Sequence, residues 1–285
     1  MTDLDPRLNA FRDGLADARL EGEVPAARFA EGHPAEVRRG VVDLRRRPDA
    51  GAPLDSQLLY GEQVRIFDEA KGWAWVQNET DGYVGYLERS ALRAPTGPPT
   101  HRLRALRSFL YPEPNLKAPP LDCLSMASPL RVVAAQGAYS EVAGGGWLYS
   151  KHLQPIGETS PDFVATALEF LGTPYYWGGR SSVGLDCSTL VQLSLACAGV
   201  QVRRDSYQQA ASAGEPLNGL PGDVALRRGD LVFSPGHVAI LLDETHVLHA
   251  NGFTMNVAIE PRAALEGRVR AETGAGFTGL RRTTS

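Results

Sequence analysis

One stretch of this 285-residue chain gathers residue types that do covalent chemistry. It reads Tyr175-Tyr176-Trp177-Gly178-Gly179-Arg180-Ser181-Ser182-Val183-Gly184-Leu185-Asp186-Cys187-Ser188. A cysteine closes a glycine-rich loop and opens an apolar stripe. Leu190, Val191, Leu195 and Ala198 follow Cys187 at spacings of three, four, eight and eleven. That periodicity predicts a helix from about Cys187 to Ala198, with Gly199 as its stop. A thiol in the first turn meets unpaired N–H groups and the positive end of the helix dipole, which favour its thiolate. A lone cysteine is more often a structural one. Cys197, deep in the apolar run, and Cys123, in a turn-rich stretch, read that way. Ten helical residues separate Cys187 from Cys197 by about 15 Å, too far for a disulfide.

A nucleophilic cysteine needs a base, and the base needs an orienting partner. His237 and His249 are the candidates. With Asp243-Glu244-Thr245 as a three-residue hairpin loop, Leu242 pairs with His246, Ile240 with Leu248 and Ala239 with His249. His237 and His249 then become diagonal neighbours on one face, about 7–8 Å apart at the backbone. His246 falls on the other face. A two-residue loop would break this parity. Each histidine alone reads more readily as structural; the same-face pair beyond a helix-capping cysteine reads as catalytic.

The surrounding pattern supplies the scaffold. Ser160-Pro161 predicts a helix start, with Ser160 as cap and Pro161 at the first helical position, and Gly172 ends that run. Gly229 to Phe233, His237 to Leu242 and His246 to Ala250 read as antiparallel strands, an α+β pattern. Upstream, Ala94 to Thr100 and Pro155 to Pro161 are linker-like breaks. The two segments before the second break match in their glycine and aromatic positions. Tyr86, Leu87 and Leu92 each stand 61 positions before Trp147, Leu148 and Leu153. Short β-type runs between turn residues suggest two small barrels, residues 36–95 and 101–156. Residues 1–35, rich in Ala, Leu and charge, are expected to add a helical extension.

Composition narrows the function. Apolar residues are 43 % and charged residues 22 %, with a net charge of −4. A mildly acidic chain lacks the basic footprint of a nucleic-acid binder. The longest apolar run, Val238 to Leu242, is too short for a bilayer. Three cysteines without a CxxC pair argue against a disulfide framework. The start Met1-Thr2-Asp3-Leu4-Asp5-Pro6 shows no secretory pattern, so a cytoplasmic location is expected. No metal is expected, because Cys187, His237 and His249 lack an acidic or second cysteine partner at ligand spacing.

Residues 158–285 resemble the NlpC family, papain-like cysteine endopeptidases of bacterial cell-wall peptides. The matching pieces are Gly172-Thr173-Pro174-Tyr175 with Trp177-Gly178-Gly179, Gly184 to Ser188, Gly229 to Phe233, Gly236 to Ile240 and Val247 to Ala250. The two upstream segments resemble bacterial SH3-like domains. The resemblance implies Cys187 as nucleophile, His237 as general base and then acid, and His249 as the third polar residue. A thiolate–imidazolium pair of Cys187 and His237 is implied with it. Tyr175 matches the family's oxyanion tyrosine, partnered by the Cys187 N–H. Thr189 stands where the family usually has glycine, and a looser helix contact is expected there.

Tandem SH3-like domains ahead of such a domain resemble the γ-D-glutamyl-L-diamino-acid endopeptidases. That resemblance implies cleavage between γ-D-Glu and a diamino acid, often diaminopimelate, in murein tripeptides or tetrapeptides with a free N-terminal L-Ala. It implies a monomer without cofactor, working in wall recycling. Glu62 and Tyr83 are the candidates for the amine pocket, and Asp186, Ser188 and Ser206 for other substrate contacts. Asp186 reads equally well as a helix cap. The competing readings are a wall-binding module with a non-hydrolytic papain-like domain, and a papain-like amidase or acyltransferase.

Overall fold

The computed structural model describes residues 4–219, 221–222 and 224–283. The chain divides into two units, Met1–Ile156 and Gly157–Ser285.

In the first unit, alternation builds the sheets. Val64 and Ile66 point inward while Gln63 and Arg65 stay partly exposed, and Val42 and Leu44 do the same in the strand Val41–Arg45. Seven strands between His33 and Arg93 form one sheet. Its core holds Val37, Leu44, Leu58, Val64, Ile66, Val76, Tyr83 and Leu87. A second set of strands, from His101–Leu103 to Leu153–Pro155, closes around Leu103, Leu110, Leu124, Leu130, Val142 and Leu148, and Tyr60 of the first barrel joins this core. The 61-residue offset recurs in the backbone. Val84–Glu88, a 3-10 turn at Arg89–Ala91 and Leu92–Arg93 are answered by Trp147–Tyr149, a turn at Ser150–His152 and Leu153–Pro155. Leu87 and Leu148 are both fully buried.

The two barrels meet through glycines. A Cβ on Gly61 would lie 1.9 Å from the Pro129 carbonyl oxygen, and one on Gly40 would lie 2.3 Å from that of Cys123. Gly40 also donates its N–H to Asp122 Oδ2 at 2.7 Å. Gly61 has φ +82°, a conformation glycine adopts without penalty.

The helical extension expected over residues 1–35 is corrected. The segment forms short strands, Phe11–Arg12, Leu15–Asp17 and Arg28–Ala30, and a 3-10 turn at Ala18–Leu20. Gly14 and Gly22 both take positive φ, which ends any helical run. Ala10 and Leu15 instead cover Phe67, Trp75 and Val84 on the flank of the first barrel. Burial against those aromatics outweighs the helix preference of alanine and leucine.

In the second unit, helices α1 (Phe163–Leu168), α2 (Cys187–Cys197), α3 (Ser206–Ser212) and α4 (Arg262–Thr273) accompany a six-stranded antiparallel sheet. Its spatial order is Glu215–Pro216, Gly279–Arg282, Asp230–Ser234, His237–Leu241, His246–Asn251, Asn256–Pro261. Leu265 and Val269 of α4 pack with Val232, Ala239, Leu241 and Val247. Helix α2 is buried along almost its whole length. It stops as expected, with Gly199 at φ +83°. Helix α1 starts later than expected. Asp162 is its cap, accepting the Ala165 N–H at 3.0 Å. Ser160 donates its own N–H to the Cys197 carbonyl, tying down the end of α2 instead.

Candidate active site

The hairpin after His237 fixes the histidine geometry. Asp243 Oδ1 accepts the N–H groups of Thr245 at 2.7 Å and His246 at 2.8 Å, which closes the three-residue loop. Leu242 donates its N–H to the His246 carbonyl, and Ile240 faces Leu248. Parity therefore puts His237 and His249 on one face. His237 Nε2 lies 2.8 Å from His249 Nδ1, with the rings near perpendicular. His249 is 1 % exposed.

Cys187 is the first residue of α2. The backbone N–H groups of Val238 and Ser188 are directed at its sulfur. Since Val238 adjoins His237, the sulfur sits at the head of the histidine strand. Asp186 caps the helix, accepting the Thr189 N–H at 3.0 Å. Arg204, fully buried, grips the same carboxylate with a two-pronged contact of 3.0 Å and 2.8 Å. Gly178 N–H and Ser188 Oγ donate to it as well. Burial pushes the Asp186 carboxyl up, but Arg204 and these donors outweigh it and hold the group below its ordinary value.

These contacts revise several expectations. The side chains of Asp186 and Ser188, expected to touch substrate, are bonded to each other and to Arg204. Ser188 Oγ donates to Asp186 and accepts from Arg204 at 2.9 Å. Thr189 makes a tight contact rather than a loose one: its Oγ1 donates to the Gly179 carbonyl at 2.9 Å, tying α2 to the Trp177-Gly178-Gly179 loop. Glu62 and Tyr83, expected to form an amine pocket, are 2 % and 1 % exposed inside the first barrel. Glu62 accepts the Leu59 N–H at 2.8 Å and holds a turn, while Tyr83 belongs to the core. Neither offers surface to a ligand. Ser206 opens α3 and is partly exposed.

Burial works against the implied thiolate–imidazolium pair. Burial pushes the Cys187 thiol up to about 12, and the Asp186 carboxylate adds to the rise. Burial lowers His237 to about 3, with His249 contributing further. Burial likewise lowers His249 to about 4. A helix start stabilises an anion, but here its N–H groups also serve Asp186, and desolvation dominates. The Cys187 and His237 shifts both favour the neutral forms of the two groups. Tyr175 is partly exposed and within electrostatic reach of Cys187; burial first, then Cys187 and Asp186, push its hydroxyl well above the usual range, which keeps it a donor.

Sequence reasoning missed Arg204 and Glu260. Arg204 lies two residues before Ser206, and its burial could not be read from charge alone. Glu260 Oε1 lies 2.8 Å from His249 Nε2. Placing it requires the register of the last hairpin, where Val247 faces Glu260 and His249 faces Ala258.

Comparison with known proteins agrees with this geometry. Residues 172–264 match the family model described as NlpC/P60 family. Residues 44–92 match the one described as bacterial dipeptidyl-peptidase Sh3 domain. The chain is 30 % identical to a protein named dipeptidyl-peptidase 6 from Lysinibacillus sphaericus, over 74 % of this chain and 85 % of that protein. It is 28 % identical to a gamma-D-glutamyl-L-lysine dipeptidyl-peptidase of Bacillus subtilis, over 63 % of this chain and 64 % of that one. A crystal structure of an NlpC/P60 family protein from Bacillus cereus shares the fold, with a TM-score of 0.76 and 21 % identity, covering 89 % of this chain and 100 % of the other. The matched stretch runs through the cysteine, both histidines and Glu260, and the chain belongs to the NlpC/P60 family of peptidoglycan endopeptidases, as a cysteine peptidase with an SH3-like domain ahead of its papain-like fold.

Proposed function

We propose that this enzyme hydrolyses the bond between γ-D-Glu and a diamino acid in murein peptides that carry a free N-terminal L-Ala. The observation that carries the chemistry is the 2.8 Å contact of His237 with His249 at the head of the strand that meets Cys187. In this reading the Cys187 sulfur attacks the γ-carbonyl carbon as His237 takes the thiol proton. The Cys187 N–H and the Tyr175 hydroxyl hold the oxyanion. Collapse breaks the C–N bond, and His237 returns the proton to the leaving amine. Water, deprotonated by His237, then cleaves the thioester and restores the thiol.

The bond and the free end are supported by relatives named dipeptidyl-peptidases, two of them for γ-D-glutamyl-L-lysine. A dipeptidyl-peptidase counts two residues from an unblocked end. With Glu62 and Tyr83 internal, the amine is read by other groups; Ser206, partly exposed, stays a candidate for contact with the peptide. A free L-Ala amine marks a peptide already cut from its sugar, and we assign the reaction to recycling of such fragments inside the cell, by a monomer.

The test is incubation with L-Ala-γ-D-Glu-diaminopimelate and with its N-acetylated form. Release of diaminopimelate from the free-amine peptide alone is expected, with none from Cys187→Ala. Equal cutting of both peptides would remove the free-end requirement. Binding without turnover would favour a wall-binding module.

A further inference from the structure

His249 orients His237, and something must orient His249. Its Nε2 lies 2.8 Å from Glu260 Oε1. Glu260 is gripped by Arg268, whose Nη1 donates to Oε2 at 2.7 Å while Nη2 donates to Oε1. Arg268 in turn stacks over Phe253, 4.3 Å from the ring centre. His237, His249, Glu260 and Arg268 thus form one continuous line of polar contacts, which begins at the strand whose Val238 N–H meets the Cys187 sulfur. An imidazole carries one proton on two nitrogens, so each contact in the line constrains the next.

A rival donor sits beside it. Asn251 Nδ2 is 3.2 Å from His249 Nε2. The Asn251 amide cannot turn over, because its Oδ1 already accepts from Phe253 N–H, Thr254 N–H and Thr254 Oγ1. Asn251 and Glu260 therefore demand opposite states of the same nitrogen. Asn251 could donate only to a bare Nε2. An ionised carboxylate only accepts, and so requires Nε2–H. Glu260 is nearer and charged, and Asn251 has an alternative acceptor in the Asn256 carbonyl at 3.4 Å.

We propose that Glu260, resting on the reading of Cys187, His237 and His249 above, is a positioning residue that selects the working tautomer of His237 through His249. With Nε2–H of His249 given to Glu260, His249 Nδ1 is an acceptor. It then takes the Nε2–H of His237, and His237 Nδ1 is left with the lone pair that removes the thiol proton. Removing the charge of Glu260 reverses every step. Arg268 claims the single oxygen of a glutamine at 260, the amide NH2 groups of that glutamine and of Asn251 both face His249 Nε2, and the proton moves to Nδ1. His237 then presents Nδ1–H to the thiol and cannot act as base. Arg268 serves by keeping Glu260 ionised: burial raises the carboxyl, but Arg268 and His249 outweigh it and hold it below its ordinary value.

The experiment is long-range 1H–15N correlation of the histidine side chains in the full-length protein without substrate, paired with kinetics of Glu260→Gln. Wild type is expected to show Nε2–H on both His237 and His249. Glu260→Gln is expected to show Nδ1–H on both. Its kcat should fall by about 100-fold or more with KM little changed, as a wrong tautomer costs a triad enzyme. Its residual rate should climb with pH, since attack then waits for the thiol to ionise unaided. A wild-type His249 protonated on Nδ1 overturns the proposal, and that measurement stands even if the variant does not fold. A variant that keeps the wild-type tautomers and most of its kcat overturns it too. If the wild type shows the expected tautomers but cuts no murein peptide, the substrate reading fails and this one stands.

Discussion

Glu36 in the first barrel and Asp186 in the second unit are built alike. Each is a buried carboxylate gripped by an arginine, Arg93 in one case and Arg204 in the other. Each accepts further donors: Thr96 and Gln63 at Glu36, and Gly178, Thr189 and Ser188 at Asp186. Yet Glu36 ties a strand to the connector after Arg93, whereas Asp186 holds the cap of a helix whose next residue is the thiol. A buried ion pair is therefore not a site by itself. What distinguishes the second is the neighbour: a thiol and an imidazole pushed toward neutrality, with a proton to exchange.

Five substitutions would break or sharpen that contrast. Cys187→Ala removes the exchanging proton and should lower kcat/KM at least about 10⁴-fold, with an unchanged circular dichroism spectrum; peptide hydrolysis monitored by amine release checks it. Tyr175→Phe deletes one oxyanion donor and should cost about 10²-fold in kcat with KM nearly unchanged. Asp186→Ala strands the buried Arg204 and should destabilise by about 3–5 kcal/mol in urea unfolding, and Glu36→Ala, which strands the partly buried Arg93, should destabilise by less. Only the first should also lower kcat of the folded enzyme, and equal kcat losses would erase the distinction. Thr189→Val loses the bond to the Gly179 carbonyl and should cost about 1 kcal/mol with activity largely retained.

Acidity sharpens the same point. His237 and His249 have folded-state values of about 3 and about 4, below the 6.5 of a free histidine. His237 thus stays a usable base well below pH 6.5, and the acid limb of kcat/KM should lie far under that value. Stability moves in the opposite sense. Between 6.5 and about 4 the unfolded chain takes up protons that the folded chain refuses, so stability falls as pH drops through that window. Thermal melts from pH 7 to 4.5, compared with His249→Asn, should show the loss in wild type and less of it in the variant.

Local chemistry was legible in the sequence where it is written in neighbouring residues. Asp243 closes its own loop through Thr245 and His246, so the parity of His237 and His249 followed from a short count. The thiol at a helix start followed from the stripe after Cys187. Legibility ended where a contact depends on distant register. Glu260 meets His249 only because the hairpin from Asn251 to Asn256 sets its phase, with Met255 at φ +56°. Nothing in the residues beside Arg204 marks it as buried. Residues 1–35 misled because their alanines and leucines are drawn to Phe67 and Trp75, partners invisible to local periodicity. Tyr83 was a candidate by resemblance alone, but Asp81 accepts its N–H and its ring faces the core.

The seam between the barrels has a consequence of its own. At Gly40 and Gly61 main chain lies directly against main chain, without space for even a methyl group. Asp122, which accepts the Gly40 N–H, and Tyr60, which enters the second core, fasten the same joint. Alanine at either position would act as a wedge, forcing the facing carbonyl of Cys123 or Pro129 away.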